Sequence, residues 1–183
     1  MYACWTTNWH RKFTGKNCTS LTLLVDILVM SKPVKEVKVR GVIPADSSCA
    51  VFLGNEEKTF VIYVDIGVGS AISMFLSSIQ KDRPHTHDLV GLMLTAFSAR
   101  VDRVIINQLK GTTYYGRLII AAENELHQRK IIELDARPSD CIAMAAQQRA
   151  PIYVSQEVWD EVEDMSDVLH GIEEERRREG DQG

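Results

Sequence analysis

The sequence contains no C-x-x-C pair. Cys4, Cys18, Cys49 and Cys141 stand alone, so neither a zinc knuckle nor a redox dithiol is indicated. Scattered single thiols suit a reducing compartment, and a cytoplasmic location is expected. No membrane span is expected either: the apolar run from Leu21 to Val29 is too short to cross a bilayer and carries Asp26 in its middle. G-x-S-x-G, P-loop and H-E-x-x-H motifs are all missing. A surplus of basic charge is missing as well, since the formal net charge is -4. That weighs mildly against phosphate binding, which wants excess Lys and Arg. What is present is ordinary globular composition. With 183 residues, 45% hydrophobic and 25% charged, a disordered chain, a collagen-like repeat and a disulfide-stapled miniprotein are excluded. The length favours one domain with a real core.

The net charge hides a gradient. Residues 1–30 hold three basic residues against one acidic, residues 31–150 hold 15 against 13, and residues 151–183 hold 3 against 11. The body is therefore slightly basic and the acidity sits at the end. In residues 1–30, basic residues precede the apolar run, as in a signal peptide, but Met30-Ser31-Lys32-Pro33 follows with no small-residue cleavage site. We expect translation to begin at Met30 and residues 1–30 to be a non-native extension. A peptide from residues 1–29 in intact native protein would overturn this. Residues 31–160 read as the domain, and residues 161–183 as an acidic tail, a frayed helix or disordered.

Along the body, strands are expected over Val37–Ile43, Cys49–Leu53 and Thr59–Ile66, the last two joined as a hairpin by Gly54-Asn55-Glu56-Glu57-Lys58. Gly67-Val68-Gly69-Ser70 is expected to break the third strand before a helix carrying Ala71, Ile72, Phe75, Leu76 and Ile79. A second helix follows Arg83-Pro84, capped by Thr86, with Leu89, Leu92, Met93, Ala96 and Phe97 on one face. The Met93 and Phe97 side is expected to be core. Arg100–Leu109 and Thr113–Ala121 read as a hairpin, Ile131–Asp135 as a short strand, and Ser139 as the cap of a helix with Ile142, Ala143 and Ala146. Ile152–Val154 is a last strand before a short helix capped by Ser155. Strand, Asp, turn and helix recur at a fixed offset: Asp65 and Asp135, like Ile72 and Ile142, lie 70 residues apart. The expected fold is therefore α+β, a mostly antiparallel sheet with interspersed helices and an internal duplication of a βββα unit.

Chemistry concentrates at two helix starts with one grammar. Arg83-Pro84-His85-Thr86-His87-Asp88 opens one helix and Arg137-Pro138-Ser139-Asp140 the other. Pro fixes the approach, a hydroxyl residue caps, and an Asp meets the helix dipole. Capping accounts for those residues without any ligand. The two arginines exceed what capping needs. They either form a phosphate site beside a helix N-terminus or pair with the aspartates. Spacing does not assemble a His-based zinc site. Magnesium needs only one or two carboxylates plus substrate phosphates, and Asp88, Asp135 and Asp140 are candidates if the helix starts adjoin. Gly67-x-Gly69 is a fragment of a dinucleotide loop, better explained as a tight turn. No organic cofactor is indicated.

The ordered set Arg83-Pro84-x-Thr86-His87-Asp88-Leu89, Arg103-Val104-Ile105-Ile106, Tyr115-x-x-Leu118, Asp135-x-Arg137-Pro138-Ser139-Asp140-x-Ile142-Ala143 and Ala150-Pro151-Ile152-Tyr153-Val154 resembles the bifunctional nuclease family of bacterial and plant proteins. The family is named for a plant member reported to cut both DNA and RNA. The resemblance runs from about Val34 to Val158. It implies a duplicated α+β domain and hydrolysis of phosphodiester bonds in DNA or RNA, with nucleic acid as a transient partner. The matching positions are Arg83, Thr86, His87, Asp88, Asp135, Arg137, Ser139 and Asp140; His85 falls at a variable position. On this reading His87, Asp88, Asp135 and Asp140 are catalytic, while Arg83, Thr86, Arg137 and Ser139 bind phosphate. A divalent cation (Mg or Mn) is expected as cofactor, with ligands unknown, and a homo-oligomer is expected. The rival reading is a non-enzymatic, oligomeric nucleotide- or anion-binding regulatory module. A third is purely structural, with Arg–Asp pairs joining the two halves.

Overall fold

The computed structural model describes residues 33–79, 83–123 and 128–180. Residues 1–30, with the expectation placed on them, lie outside the described residues. The elements in chain order are β1 (Val34–Pro44), β2 (Cys49–Gly54), β3 (Thr59–Val64), α1 (Ile66–Leu76), α2 (Thr86–Ala96), β4 (Ala99–Lys110), β5 (Thr113–Glu123), β6 (Arg129–Ala136), α3 (Pro138–Gln148), β7 (Ile152–Ser155), α4 (Gln156–Glu161) and α5 (Ser166–Gly180).

All seven strands form one sheet, in the order β3-β2-β1-β7-β4-β5-β6. Every pairing is antiparallel except β4 with β7. The fold is α+β, as expected. The duplication is visible in the order: β1-β2-β3-α1 and β4-β5-β6-α3 are the same unit, laid out on either side of β7. β7 runs against β1 and along β4, so the two units point opposite ways. The offset differs from the one read in the sequence. The unit helices begin 72 residues apart, at Ile66 and Pro138. Asp65 is the N-cap of α1, whereas Asp135 still lies within β6 and Arg137 is the N-cap of α3. Residues at equal offset therefore do different jobs.

β2 is buried along its whole length because both faces are covered. Cys49, Val51 and Leu53 join the main core, with Ile72 of α1 and Ile142 of α3. Ala50 and Phe52 point the other way, into a smaller cluster closed by Leu169, Met165 and Ile172. Strand alternation thus feeds two cores from one apolar run. The segment from Asp160 onward is not simply frayed: its helix α5 is anchored through Leu169. In β4 the core residues are Val101, Val104 and Ile106. The odd step from 101 to 104 is a bulge between Val101 and Arg103, which moves the alternation by one residue.

Three local expectations are corrected. Gly67 to Ser70 do not form a turn after β3; they are the first turns of α1. Asp65 accepts a hydrogen bond from the Gly67 N–H at 2.8 Å and starts the helix at once. Gly69 belongs there because a Cβ would sit 2.3 Å from Cys49 Cβ. Thr86 and Ser139 are not the caps. The Asp88 carboxylate accepts from the His85 N–H at 2.8 Å, which sets the N-cap at His85. Pro138 takes the first helical position, where its missing N–H costs nothing, so the cap falls on Arg137. Finally, the Met93 and Phe97 side of α2 is not core. Met93 is 52% and Phe97 75% exposed, and Leu89 and Leu92 are exposed too. Only Gly91 of α2 is buried. Helix α2 touches the body by a narrow edge and shows its apolar side to solvent.

Candidate functional site

The first turns of α2 and α3 meet. Pro138 and Asp140 lie in the first turn of α3, whose following residues, Cys141 to Ala145, are all buried against the sheet. That burial fixes the helix and aims Asp140 outward. Its carboxylate accepts from Arg137 Nε at 2.8 Å and from Arg137 Nη2 at 3.3 Å. It also lies 3.3 Å from His87 Nε2. Burial pushes the Asp140 carboxyl up, but the hydrogen bonds from Arg137 and His87 outweigh it, so the group is held below its usual range. The bond to Asp140 and its charge push the Arg137 guanidinium up, with a smaller push from Asp65 of the other unit. His87 is 16% and Arg137 73% exposed. An imidazole held by a carboxylate therefore sits beside a guanidinium that is largely open to solvent.

A second clamp holds the same turn. Gln147 Nε2 donates to the His87 carbonyl at 2.9 Å from the far end of α3. Gln147 Oε1 is buried without a partner among the described residues. A Cβ on Gly91 would lie 2.3 Å from that oxygen, so glycine lets the helices approach.

Of the eight residues named from sequence, His87, Arg137 and Asp140 come together. Asp88 and Arg83 lie elsewhere, in the wall of a cleft. Thr86 is exposed at the first position of α2, and Ser139 is half-buried beside Pro138. Asp135 is exposed near the end of β6, opposite Arg117, and close enough to raise the Cys141 pKa. Among the described residues no three His, Cys, Asp or Glu side chains converge as a metal-ligand set. Asp140 is already engaged by Arg137 and His87, and Asp88 by the His85 N–H. A resident metal held by protein carboxylates alone does not fit this arrangement.

The cleft, about 960 Å³, lies between the end of α1, α2, the start of β4 and the last turn of α3. Two of its residues, Arg100 and Arg149, escaped the reading of the sequence. Arg100 looks like any polar residue on a strand. Arg149 carried one usable signal, its place just before Ala150-Pro151, where a helix must stop; in the structure it ends α3 with φ 55°, a left-handed position where glycine is usual. Tyr114 packs against Phe60 with ring centroids 6.2 Å apart.

No helix among the described residues is long and apolar enough to cross a membrane. Two uncharacterized proteins of Mycobacterium tuberculosis, from two strains, are each 30% identical to this chain over 104 residues. The match covers 57% of this chain and 58% of each relative, so the chain spans little more than half the length of those relatives. The family described as bifunctional nuclease domain matches residues 51–166, from β2 to the start of α5. The chain belongs to the bifunctional nuclease domain family.

Proposed function

We propose that this chain hydrolyses phosphodiester bonds of DNA or RNA at the His87–Asp140–Arg137 cluster. The observation that carries the reading is the imidazole aligned by Asp140 beside the exposed Arg137. Two guanidinium N–H groups of Arg137 are spent on Asp140, and the others are open to a phosphate oxygen. With Nε2 donating to Asp140, Nδ1 of His87 is the proton acceptor. It takes a proton from the attacking water as the new P–O bond forms and returns one to the leaving oxygen as the ester bond breaks. Arg137 balances the charge that builds on the phosphoryl oxygens. A Mg or Mn ion would be brought by the substrate phosphates. Cytoplasmic location and a homo-oligomer, whose mass light scattering would report, are proposals as well.

The test is cleavage of single- and double-stranded DNA and RNA by the full chain, with Mg, with Mn and with chelator. His87→Ala should lower the rate by about 10²–10⁴-fold, and Arg137→Gln should lower it as well. Full activity in both variants overturns the assignment. Binding without any product supports the rival, a non-enzymatic anion-binding module, which the arginines around the cleft would also serve.

A further inference from the structure

Eight arginines lie between residues 33 and 160. Five are paired: Arg40 with Glu56, Arg103 and Arg129 with Asp102, Arg117 with Glu133, and Arg137 with Asp140. The other three, Arg83, Arg100 and Arg149, have no ion pair among the described residues. All three line the one cleft, and all three are exposed. They arrive from three separate elements: the lead into α2, the start of β4 and the end of α3. Among the described residues Asp88 is the only acidic one in the wall, and its carboxylate already accepts from the His85 N–H. Among the described residues, the cleft therefore carries a surplus of positive charge that no acidic side chain pairs with.

Beside the polar Ser78, Thr95, Gln147 and Gln148, the wall also presents apolar side chains. Phe75 is half-buried, and Ile79 and Leu92 are each 58% exposed. Guanidinium groups beside the exposed Ile79 and Leu92 match a ligand that shows phosphates and apolar faces together. A free phosphate would leave Ile79 and Leu92 unused. A duplex hides its base faces in the stack, whereas a single strand exposes them. The cleft also adjoins the catalytic cluster, because Gln147 lines it while donating to the His87 carbonyl, and Asp88 follows His87 directly.

We propose that this cleft holds the single-stranded nucleic-acid segment flanking the phosphodiester presented to His87. Arg83, Arg100 and Arg149 contact its phosphates, and the exposed Ile79 and Leu92 meet its bases. The inference rests on the nuclease reading above and names where the strand lies. The experiment is equilibrium binding of a fluorescein-labelled single-stranded oligonucleotide to the full chain, with chelator present, across a salt series. Its partner is the double variant Arg100→Gln with Arg149→Gln, both exposed side chains. Two lost phosphate contacts should flatten the slope of log affinity against log salt by about 1.4, at roughly 0.7 per phosphate on a single strand. The duplex of the same sequence should bind more weakly than the single strand. Unchanged affinity and slope in the double variant, or a duplex bound as tightly as the single strand, overturns the inference. The outcomes also separate the two ideas. Arginine-dependent binding without cleavage by the wild type keeps the cleft and removes the nuclease reading. Cleavage that needs His87 alongside unchanged binding in the double variant does the reverse. No binding by the wild type removes the cleft outright.

Discussion

Asp140 joins a guanidinium, an imidazole and a helix start in one carboxylate, and its protonation is therefore a stability event. Its folded pKa lies below the usual 3.8, so its contribution is present above pH 3.8 and is lost as pH falls through the lower folded value. Asp140→Asn should lower stability at neutral pH by about 1 kcal/mol, a modest figure because the side chain is partly open to water. The gap in melting temperature between wild type and variant should close as pH drops below 3.8; a constant gap would refute the linkage. The neighbouring Cys141 works with the opposite sign. Burial, with smaller pushes from Asp140 and Asp135, lifts its thiol from 9.0 to about 12. Folding keeps that thiol neutral, so stability is intact below pH 9 and falls as pH climbs from 9 towards 12. Cys141→Ala should flatten the alkaline limb of the melting curve, and native Cys141 should resist alkylation until the chain is unfolded. The sequence showed that Asp140 and Arg137 share a helix start. It did not show that His87, 53 residues earlier, would reach the same carboxylate.

Helices α1 and α2 both rely on a glycine at a close approach, but the obstacles differ. At Gly69 the added Cβ would meet Cys49 Cβ, an atom fixed to a buried strand. Gly69→Ala should cost about 1–3 kcal/mol through overpacking, read as a loss of melting temperature. At Gly91 the obstacle is the tip of Gln147, which can swing aside. Gly91→Ala should cost little stability, since alanine regains about 1 kcal/mol of helix propensity. It should instead free the His87 carbonyl from Gln147 and lower cleavage more than melting temperature. A melting loss as large as that of Gly69→Ala would contradict this. Element existence was legible because the strands are β-branched runs bounded by turn residues, as in Thr59–Val64. Helix starts were less legible. Several polar residues there compete to cap, and Asp88 and Pro138 decided between them. The apolar side of α2 misled for a simpler reason. Periodicity shows that a face exists, not that anything covers it.

The whole molecule divides its charge as its sequence does, and α5 ties the acidic end to the sheet. Leu169 fills the cluster around Ala50 and Phe52, while Glu173 and Glu175 stay exposed. The helix therefore has two separable effects. Its apolar side stabilises the back of the sheet, and its acidic side opposes the weakly basic body that carries the cleft arginines. Leu169→Ala removes only the first effect and should cost about 2–5 kcal/mol. It should leave oligonucleotide affinity unchanged while the chain is folded. Glu173→Gln with Glu175→Gln removes only part of the second. Melting temperature should hold within a degree or two, because exposed surface substitutions move stability by about 0.5 kcal/mol at most. Affinity for a single-stranded oligonucleotide should rise at low salt, and the gain should shrink as ionic strength approaches 0.5 M, where screening shortens the reach of exposed charge to about 4–5 Å. A gain that survives high salt would mean the glutamates touch the strand directly. No gain at any salt would mean that the acidic helix lies too far from the cleft to act on it.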